Sequence, residues 1–373
     1  MNKGKKQISL NNIIDGNGSL YFWDLEINEL FQINNQFQAD IVKLHNRNVA
    51  DDNLPLYGKI LYFQNKIIGV PLAANAIFIY DLGTEEYRYI SLEKYSFEEK
   101  NAWRGKFWDA VIDDKYAYFI GYWSKKILKL DLLEEKIINL VEIECDANKE
   151  IDDIYFKQAA IYGDKLLVPF CQRNEVCVLD KQSMNYGVKK FTGTEDGFSS
   201  LLIDGDNIWM APRRTGKFVR WNQEADVIDY LDYSDDCKTK RPSYGFMEKY
   251  NDDILVFPLH APFVLNIKRD TKKIEINSEL SELCQGNNDV QKAGFVSKNG
   301  DEVLIYRRYD SSIVKYDLDK HEWKIENVTF SKKSISKIMQ KEIDRRGFLR
   351  EGVFSLQDLL HDFNSSGGGL GYE

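Results

Sequence analysis

The sequence predicts an all-β fold, a seven-bladed β-propeller of four-stranded antiparallel blades with a short α-helical C-terminal extension. Three observations predict it. A hairpin pattern recurs seven times between about residues 8 and 330. The copies are spaced as four-stranded blades are. Beyond about residue 330 the apolar residues recur at the spacing of an α-helix.

The repeating unit is clearest in residues 164–180, DKLLVPFCQRNEVCVLD. An apolar run, LLV, leads into the polar turn QRN, and a second apolar run, VCVL, ends at Asp180. Short apolar runs bounded by turn residues are typical of paired β-strands. The unit therefore predicts a β-hairpin.

Six further copies follow this pattern, among them NKIIGVPLAANAIFIYD and DNIWMAPRRTGKFVRWN. The copies lie about 42 to 51 residues apart, in the range that four strands and their turns need. One four-stranded sheet cannot bury both of its faces, whereas a ring of sheets buries each face against a neighbour. The first apolar residues of the seven hairpins are Leu20, Ile67, Tyr118, Leu166, Ile208, Ile254 and Val303.

In chain order, polar or charged links separate the blades. In blade 1 the turn DGNG favours the positive φ angles that close hairpins, so the first strand is expected just before it, at residues 10–14. The first strands of blades 2 and 3 are expected at residues 59–63 and 107–112. The four strands of blade 5 are expected at residues 200–203, 208–211, 218–221 and 227–230. The predicted blades span residues 9–42, 57–92, 105–141, 155–191, 197–231, 244–276 and 293–328.

The C-terminal region carries two helical stripes. Ile335, Ile338, Met339 and Ile343 form the first, and a second begins after Ser355, a plausible N-cap, in the segment LQDLLHDF. We expect a propeller at residues 8–330, a helical extension at 331–363 and a flexible tail at 364–373. Two interpretations stay open: the helices pack on the propeller rim, or the last helix docks a protein partner.

Composition narrows the function classes. The chain has 373 residues, a formal net charge of −9 and 43% hydrophobic residues. The negative charge argues against a general nucleic-acid binder. The opening MNKGKKQISLNNIID lacks the apolar core of a signal peptide, and no apolar run reaches the ~18 residues of a membrane span, so we expect a cytoplasmic protein without membrane insertion. The five cysteines lack metal-ligand spacing and are expected to be buried free thiols. The alternative is that Cys171 and Cys177, which flank one turn, face each other across their hairpin.

Candidate ligand-binding residues follow from propeller geometry. The turns between the second and third strands of each blade lie on the same face as the links between blades, where ligand sites usually form. Arginines can bind carboxylate or phosphate oxygens there, and aromatic rings can stack on sugars. Alternatively, these are ordinary turn residues paired with the acidic links at residues 51–52, 152–153 and 235–236. The candidates are Trp23, Trp123, Arg173, Arg213, Arg214, Arg307, Arg308 and Tyr309.

His260 is the candidate catalytic residue if the protein is an enzyme. It lies between Pro258 and Pro262, in a stiff turn that fixes its direction. A histidine there can act as a general base, or it can be a hydrogen-bonded structural residue. The motifs of zincins, serine hydrolases and P-loop proteins do not occur in the sequence.

The unit DNIWMAPRRTGKFVRWN, an apolar strand, a turn and a second apolar strand ending in Asn, resembles the blades of streptogramin-lyase-like seven-bladed propellers. The resemblance covers about residues 9–328 and concerns architecture. For the lyases it implies a histidine base and a carboxylate-bound divalent metal. Only His260 matches that base by location, and no metal carboxylates can be assigned. Gluconolactonase-like propellers are typically six-bladed, and the strand-end Trp-Asp of WD repeats does not recur here.

Two hypotheses therefore stand. The first is a non-catalytic cytoplasmic recognition or scaffold module without a cofactor. It binds an anionic or carbohydrate-related small molecule on one propeller face, or a protein partner through the C-terminal helix. The alternative is a streptogramin-lyase-like lyase or hydrolase that uses His260 as base, with or without a divalent metal. The sequence leaves open whether the protein is an enzyme.

Overall fold

A computed structural model describes residues 8–44, 54–97, 105–121, 124–143, 158–285 and 292–346. It confirms the predicted fold: seven blades, each built from four consecutive antiparallel strands. None of the helices in these ranges is long and apolar enough to cross a membrane.

The strands follow one another blade by blade, from the central channel outward. Blades 1 to 3 contain β1 (Ile14–Gly16), β2 (Ser19–Asp24), β3 (Glu29–Ile33), β4 (Gln38–Ile41); β5 (Tyr57–Phe63), β6 (Lys66–Pro71), β7 (Ala76–Asp81), β8 (Glu86–Ser91); and β9 (Phe107–Asp113), β10 (Tyr116–Gly121), β11 (Lys126–Asp131), β12 (Lys136–Glu142).

Blades 4 to 7 repeat the arrangement. They contain β13 (Ala160–Tyr162), β14 (Lys165–Pro169), β15 (Glu175–Asp180), β16 (Tyr186–Lys190); β17 (Phe198–Asp204), β18 (Asn207–Pro212), β19 (Phe218–Asn222), β20 (Val227–Leu231); β21 (Tyr244–Tyr250), β22 (Asp253–Pro258), β23 (Val264–Lys268), β24 (Ile274–Asn277); and β25 (Ala293–Asn299), β26 (Glu302–Arg307), β27 (Ser312–Asp317), β28 (Glu322–Asn327).

The acidic residue that ends many of the third strands has a structural purpose. Oδ1 of Asp131 accepts hydrogen bonds from the backbone N–H groups of Leu133 and Glu134, both at 3.0 Å. Asp81 and Asp180 form the same turn in their blades. Asp side chains stabilise tight turns in this way because they take the place of a backbone acceptor. The recurring Asp in the sequence therefore marks the turn between the third and fourth strands.

The hydrophobic core is divided among the blade interfaces. Each of the seven core clusters joins two neighbouring blades, including blades 7 and 1. Backbone hydrogen bonds support several interfaces on one face of the ring: the N–H of Lys106 donates to the carbonyl of Leu72 at 2.7 Å, and that of Ser243 to Arg213 at 2.6 Å. The links between blades and the turns between the second and third strands of each blade therefore meet on that face, which we call the link face.

The ring closes where blade 7 meets blade 1. A short strand, β29 (Thr329–Phe330), pairs in parallel with β4 and becomes a fifth strand of blade 1. On the link face, the backbone N–H of Ile8 donates to Ser311 Oγ at 3.0 Å. Sequence reasoning left the mode of closure open. The structure shows that face packing is supplemented by this added strand and by the N-terminal segment.

The expected first strand at residues 10–14 is wrong, because β1 begins at Ile14, which pairs with Tyr21. Residues 10–12 instead take the place of a link between blades, and the side chains of Asn11 and Asn12 bond to blade 2. Their apolar neighbours Leu10 and Ile13 belong to the core cluster between blades 7 and 1, which explains why the segment resembles a strand.

Two helices accompany the propeller. The first, α1 (Ser278–Leu283), was not expected; it follows β24 and is capped by Asn277, whose side chain accepts from the N–H of Leu280 at 2.9 Å. The second, α2 (Lys332–Arg346), is the expected C-terminal helix, and Ile338 and Met339 are buried in it. Ser334 Oγ accepts from the N–H of Ile41 in blade 1 at 2.7 Å, so this part of the extension packs on the propeller rim. The helix expected after Ser355 lies outside the described residues.

The cysteine prediction is confirmed for the four cysteines that the structure describes. They carry buried thiols. Burial raises the pKa of the Cys284 thiol to about 12, so this thiol stays protonated at neutral pH. Cys145 lies outside the described residues.

Candidate functional site

The candidate site is a cavity of about 180 Å³ at the mouth of the central channel, on the link face. It is lined by the starts of the innermost strands and by two turn residues, Leu259 and Arg308. Propellers place ligand sites at such a mouth because every blade contributes one inner strand to it.

Five inner strands begin with the same irregularity. Their pairing with the second strand shifts by one residue, so that two inner-strand residues lie opposite one partner residue. The unmatched residue lines the cavity in each case. We call these the bulge positions: Gly58, Trp108, Ser199, Gly245 and Gly294.

Glycine at three of the bulge positions leaves room for the cavity. A Cβ added to Gly245 would lie 2.5 Å from Leu259 Cγ, and one added to Gly294 would lie 2.9 Å from a ring carbon of Tyr306. Contacts this close require the neighbour to move. Gly245 therefore keeps Leu259 in its place at the cavity wall, and Gly294 keeps the neighbouring Tyr306 in its place.

An ion pair joins two of the inner strands. The ammonium group of Lys59 in blade 2 contacts the Asp109 carboxylate in blade 3 and also donates to the carbonyl of Ala110 at 3.2 Å. The second Asp109 oxygen accepts from the N–H of Ala159 in blade 4 at 3.0 Å. Asp109 is buried, so its charge is compensated by Lys59 and by this N–H group.

The side chain of Arg308 connects blade 7 to the N-terminal segment. Its Nη2 donates to the carbonyl of Leu10 at 3.0 Å and to Asn11 Oδ1 at 2.8 Å. Its Nε is buried and has no hydrogen-bond partner among the described residues. Burial lowers the pKa of the guanidinium, and the nearby Tyr306 offsets this only in part. Arginine nevertheless stays charged in proteins, so a positive charge is desolvated here.

That charge has no carboxylate partner in the part of the chain that the structure describes. The ionisable side chains that line the cavity there are Lys59, Asp109 and Arg308, two positive and one negative. Lys59 and Asp109 compensate each other. The cavity wall thus has one excess positive charge, although the chain as a whole carries −9.

The part of the cavity wall that blades 6 and 7 form is apolar. Phe246 and Phe295 line the cavity with Leu259 and Val296. The two phenyl rings are arranged edge to face, with centroids 6.4 Å apart and planes at 83°. Such a pair leaves one ring face and one edge available to a third aromatic ring. The site therefore combines an apolar wall with a single cationic group.

Arg308 is the one predicted ligand-binding residue that lines this cavity among the described residues. Trp23 is only 2% exposed and belongs to the core between blades 1 and 2, 4.8 Å from the ring of Tyr57. Arg214 is exposed on the link face, next to Arg213, whose carbonyl accepts from Ser243. Trp123 lies outside the described residues.

Two other predicted arginines have partners within their own turns. Arg307 is 8% exposed, pairs with Asp310 at 2.6 Å and lies over the ring of Tyr309, 5.1 Å from its centroid. Arg173 pairs with Glu175 at 3.3 Å. These contacts are those of ordinary turn residues, although their acidic partners are local and not in the links between blades.

His260 lies in the β22–β23 turn of blade 6 and is partly buried. Its backbone N–H donates to the carbonyl of Ser243 at 3.2 Å. The neighbouring Leu259 lines the central cavity, and His260 does not. Within the described ranges no group of three or more His, Cys, Asp or Glu side chains could hold a metal ion. These residues do not fit the donor set that the lyase resemblance implies, so we derive no step through a metal.

Sequence reasoning missed the inner-strand residues Lys59, Asp109 and Phe246. A signal for them exists: the inner strands of blades 2, 3 and 6 begin with an aromatic residue, the bulge residue and then a residue that lines the cavity, as YGK, FWD and YGF. Blade 5 begins with an aromatic residue and a bulge residue in the same way, as FSS. Blade 7 has AGF. The pattern is only three residues long, so it predicts a site only when the inner strands are known to converge on one channel.

No protein-family model and no curated protein matches the chain. Solved propellers do. The virginiamycin B lyase of Staphylococcus aureus is 12% identical, with a TM-score of 0.60 over 84% of this chain and 95% of that one. A second streptogramin B lyase structure is 12% identical, with a TM-score of 0.58 over 87% and 94%. The RRP9 WD40 repeats are 13% identical, with a TM-score of 0.50 over 72% and 78%. The architectural resemblance to streptogramin lyases is thus confirmed, and at these identities it establishes the fold alone.

Proposed function

We propose that the protein is a non-catalytic recognition module whose ligand places an anionic group against Arg308 at the mouth of the central channel. The observation that carries the proposal is the desolvated guanidinium of Arg308, which has no carboxylate partner among the described residues and a buried Nε without an acceptor. A buried charge is costly unless it is paired. A bound anion would supply both the opposite charge and the missing acceptor.

The overall negative charge of the chain does not oppose this binding. At physiological ionic strength, charges more than about 8 Å apart are largely screened at the surface. The excess positive charge at the cavity wall therefore acts on a ligand at short range, where the low dielectric of the site strengthens it.

The enzymatic alternative has weaker support. His260 does not line the cavity, and the described residues around it offer no metal-ligand set. The lyases among the similar structures share the propeller architecture, which serves both enzymes and scaffolds. A carbohydrate-related ligand, a protein partner bound through the C-terminal helix and a cytoplasmic location remain predictions from the sequence.

The proposal can be tested by thermal shift measurements with acetate, benzoate, sulfate and inorganic phosphate, with sodium chloride at matched ionic strength as reference. A ligand that binds only the folded state raises the melting temperature by mass action. We expect at least one anion to raise it in the wild type and in Arg214→Ala, an exposed arginine on the same face. We expect the rise to vanish in Arg308→Met.

Arg308 also holds the N-terminal segment, so Arg308→Met lowers the melting temperature by itself. Arg308→Lys serves as the second variant because it keeps the charge and loses the planar fork; a reduced but measurable shift is expected. An equal anion shift in Arg308→Met and wild type, or no shift with any anion, would show that the proposal is wrong. Loss of the shift in His260→Ala but not in Arg308→Met would favour the enzymatic alternative.

A further inference from the structure

We infer that the ligand is a small aromatic carboxylate with one negative charge and a hydrogen-bonding group at the end opposite the carboxylate. This inference rests on the proposed function and identifies the chemical class that the cavity accepts. Three features of the described residues carry it: the single excess charge, the aromatic wall beside Arg308, and a polar group on the far side of the channel.

The charge balance favours a monoanion. Lys59 is already paired with Asp109, which leaves Arg308 as the one uncompensated cation among the described lining residues. A phosphate monoester carries up to two negative charges at neutral pH. Its second charge would be buried near the Asp109 carboxylate without a cation of its own, and such burial is unfavourable. A carboxylate brings one negative charge, which matches the single charge of Arg308, and its oxygens can accept from a guanidinium N–H.

The apolar wall places an aromatic ring next to that carboxylate. Phe295 directly follows Gly294, whose added Cβ would lie 3.5 Å from Arg308 Cβ, and both Phe295 and Arg308 line the cavity. Phe246 and Phe295 form an edge-to-face pair. A ligand ring can extend this pair by the same edge-to-face geometry, in which a positive ring edge meets a negative ring face.

The volume sets the size of the ligand. The cavity encloses about 180 Å³. An apolar cavity of about 150 Å³ accommodates benzene, whereas drug-sized ligands need about 300 Å³ or more. The space therefore fits one aromatic ring with short substituents.

On the other side of the channel, Gln158 offers a hydrogen-bond acceptor. Gln158 belongs to blade 4, which lies opposite the junction of blades 7 and 1 in a seven-membered ring, and Gln158 lines the cavity. Its Oε1 is buried and has no hydrogen-bond partner among the described residues. A hydroxyl group on the ligand ring, across from the carboxylate, would satisfy this acceptor.

Calorimetric titration of the full chain tests the inference with 4-hydroxyphenylacetate, phenylacetate, tyrosol and inorganic phosphate. Tyrosol has the same ring and hydroxyl group without the carboxylate. We expect 4-hydroxyphenylacetate to bind more tightly than phenylacetate, and we expect tyrosol and phosphate to bind at least about tenfold more weakly, because the charged hydrogen bond or the ring contact is lost.

Three variants complete the design. Phe295→Leu keeps the wall apolar and is expected to weaken 4-hydroxyphenylacetate by about threefold to tenfold through loss of the ring contact. Gln158→Met removes the acceptor and should abolish the preference for the hydroxylated ligand over phenylacetate. Arg214→Ala, away from the cavity, should leave all four affinities unchanged. Circular dichroism of each variant verifies the fold.

The outcomes separate this inference from the proposed function. Binding of phosphate but of neither aryl carboxylate, with dependence on Arg308, would overturn the ligand class and leave the anion site intact. Equal affinity for tyrosol and 4-hydroxyphenylacetate would overturn the carboxylate assignment and the proposed function together. Binding of the aryl carboxylates that Phe295→Leu leaves unchanged would overturn the assigned ring position.

Discussion

The side chain of Asn12 bonds both backbone groups of Ile60, donating from Nδ2 to its carbonyl at 2.7 Å and accepting from its N–H at 3.0 Å. An amide side chain has the same donor and acceptor pair as a backbone peptide group. Asn12 therefore continues the hydrogen bonding of the inner strand β5 into the channel and fixes blade 1 to blade 2.

Asn12→Ala should destabilise the propeller by about 2–6 kcal/mol. The substitution leaves two buried backbone groups without partners, at about 1–3 kcal/mol each. Chemical denaturation followed by tryptophan fluorescence measures the loss. The exposed Asn299 provides the control, since Asn299→Ala should change stability by less than about 0.5 kcal/mol. Equal stability of Asn12→Ala and wild type would contradict the bonding described here.

Gly69→Ala should be among the most damaging single-methyl additions in the chain. A Cβ at Gly69, in the middle of β6, would lie 2.2 Å from a ring carbon of Phe78, which is fully buried. Overpacking of a core costs about 1–3 kcal/mol or more. Gly187→Ala in the outer strand β16 is the matched control, because nothing lies within 4 Å of its added Cβ. Similar melting temperatures for the two variants would show that blade 2 relaxes more freely than expected.

Glu248 should make the fold less stable as the pH rises. Burial raises the pKa of its carboxyl group to about 7, and Lys298 lowers it only in part. The folded state therefore holds the proton more tightly than the unfolded chain, so stability is lost between about pH 4.5 and pH 7, where only the unfolded chain ionises.

Glu248→Gln should remove this dependence. We expect the variant to match the wild type near pH 4 and to exceed it at pH 8 by up to about 3 kcal/mol. Melting temperatures measured across this range test the sign as well as the size, with the exposed Glu93→Gln as control. A variant that is less stable than the wild type at pH 8 would mean that the ionised carboxylate makes a favourable contact.

The fold could be predicted from the sequence because its signal is repeated. Each blade carries two apolar runs at strand spacing, and residues such as Asp131 and Asp180 mark the same turn again and again. Errors arose where the repeat is broken. Residues 10–14 have the apolar pattern of a strand, yet Leu10 and Ile13 are apolar because they pack into the core between blades 7 and 1.

The candidate site was predicted only in part. The correct face followed from propeller connectivity, and Arg308 was among the candidates. Trp23, which the sequence placed in a turn, lies in β2 and packs into the core. Its position could not separate it from a ligand-binding residue, because a large side chain near the end of a strand can face either the channel or the core. Lys59, Asp109 and Phe246 were missed because they line one cavity although they are about 50 to 190 residues apart in the chain.

The bulge positions have a consequence for how such a protein can diversify. Each of these residues is released from cross-strand pairing, so a substitution there breaks no pair of the ladder. At Gly245 and Gly294 a larger residue also requires a neighbouring side chain to move. The present chain already spans the range from glycine at position 58 to tryptophan at position 108. Point mutations at five independent places can therefore reshape one shared pocket, and a lineage of such propellers can acquire new ligands one blade at a time while the scaffold stays the same.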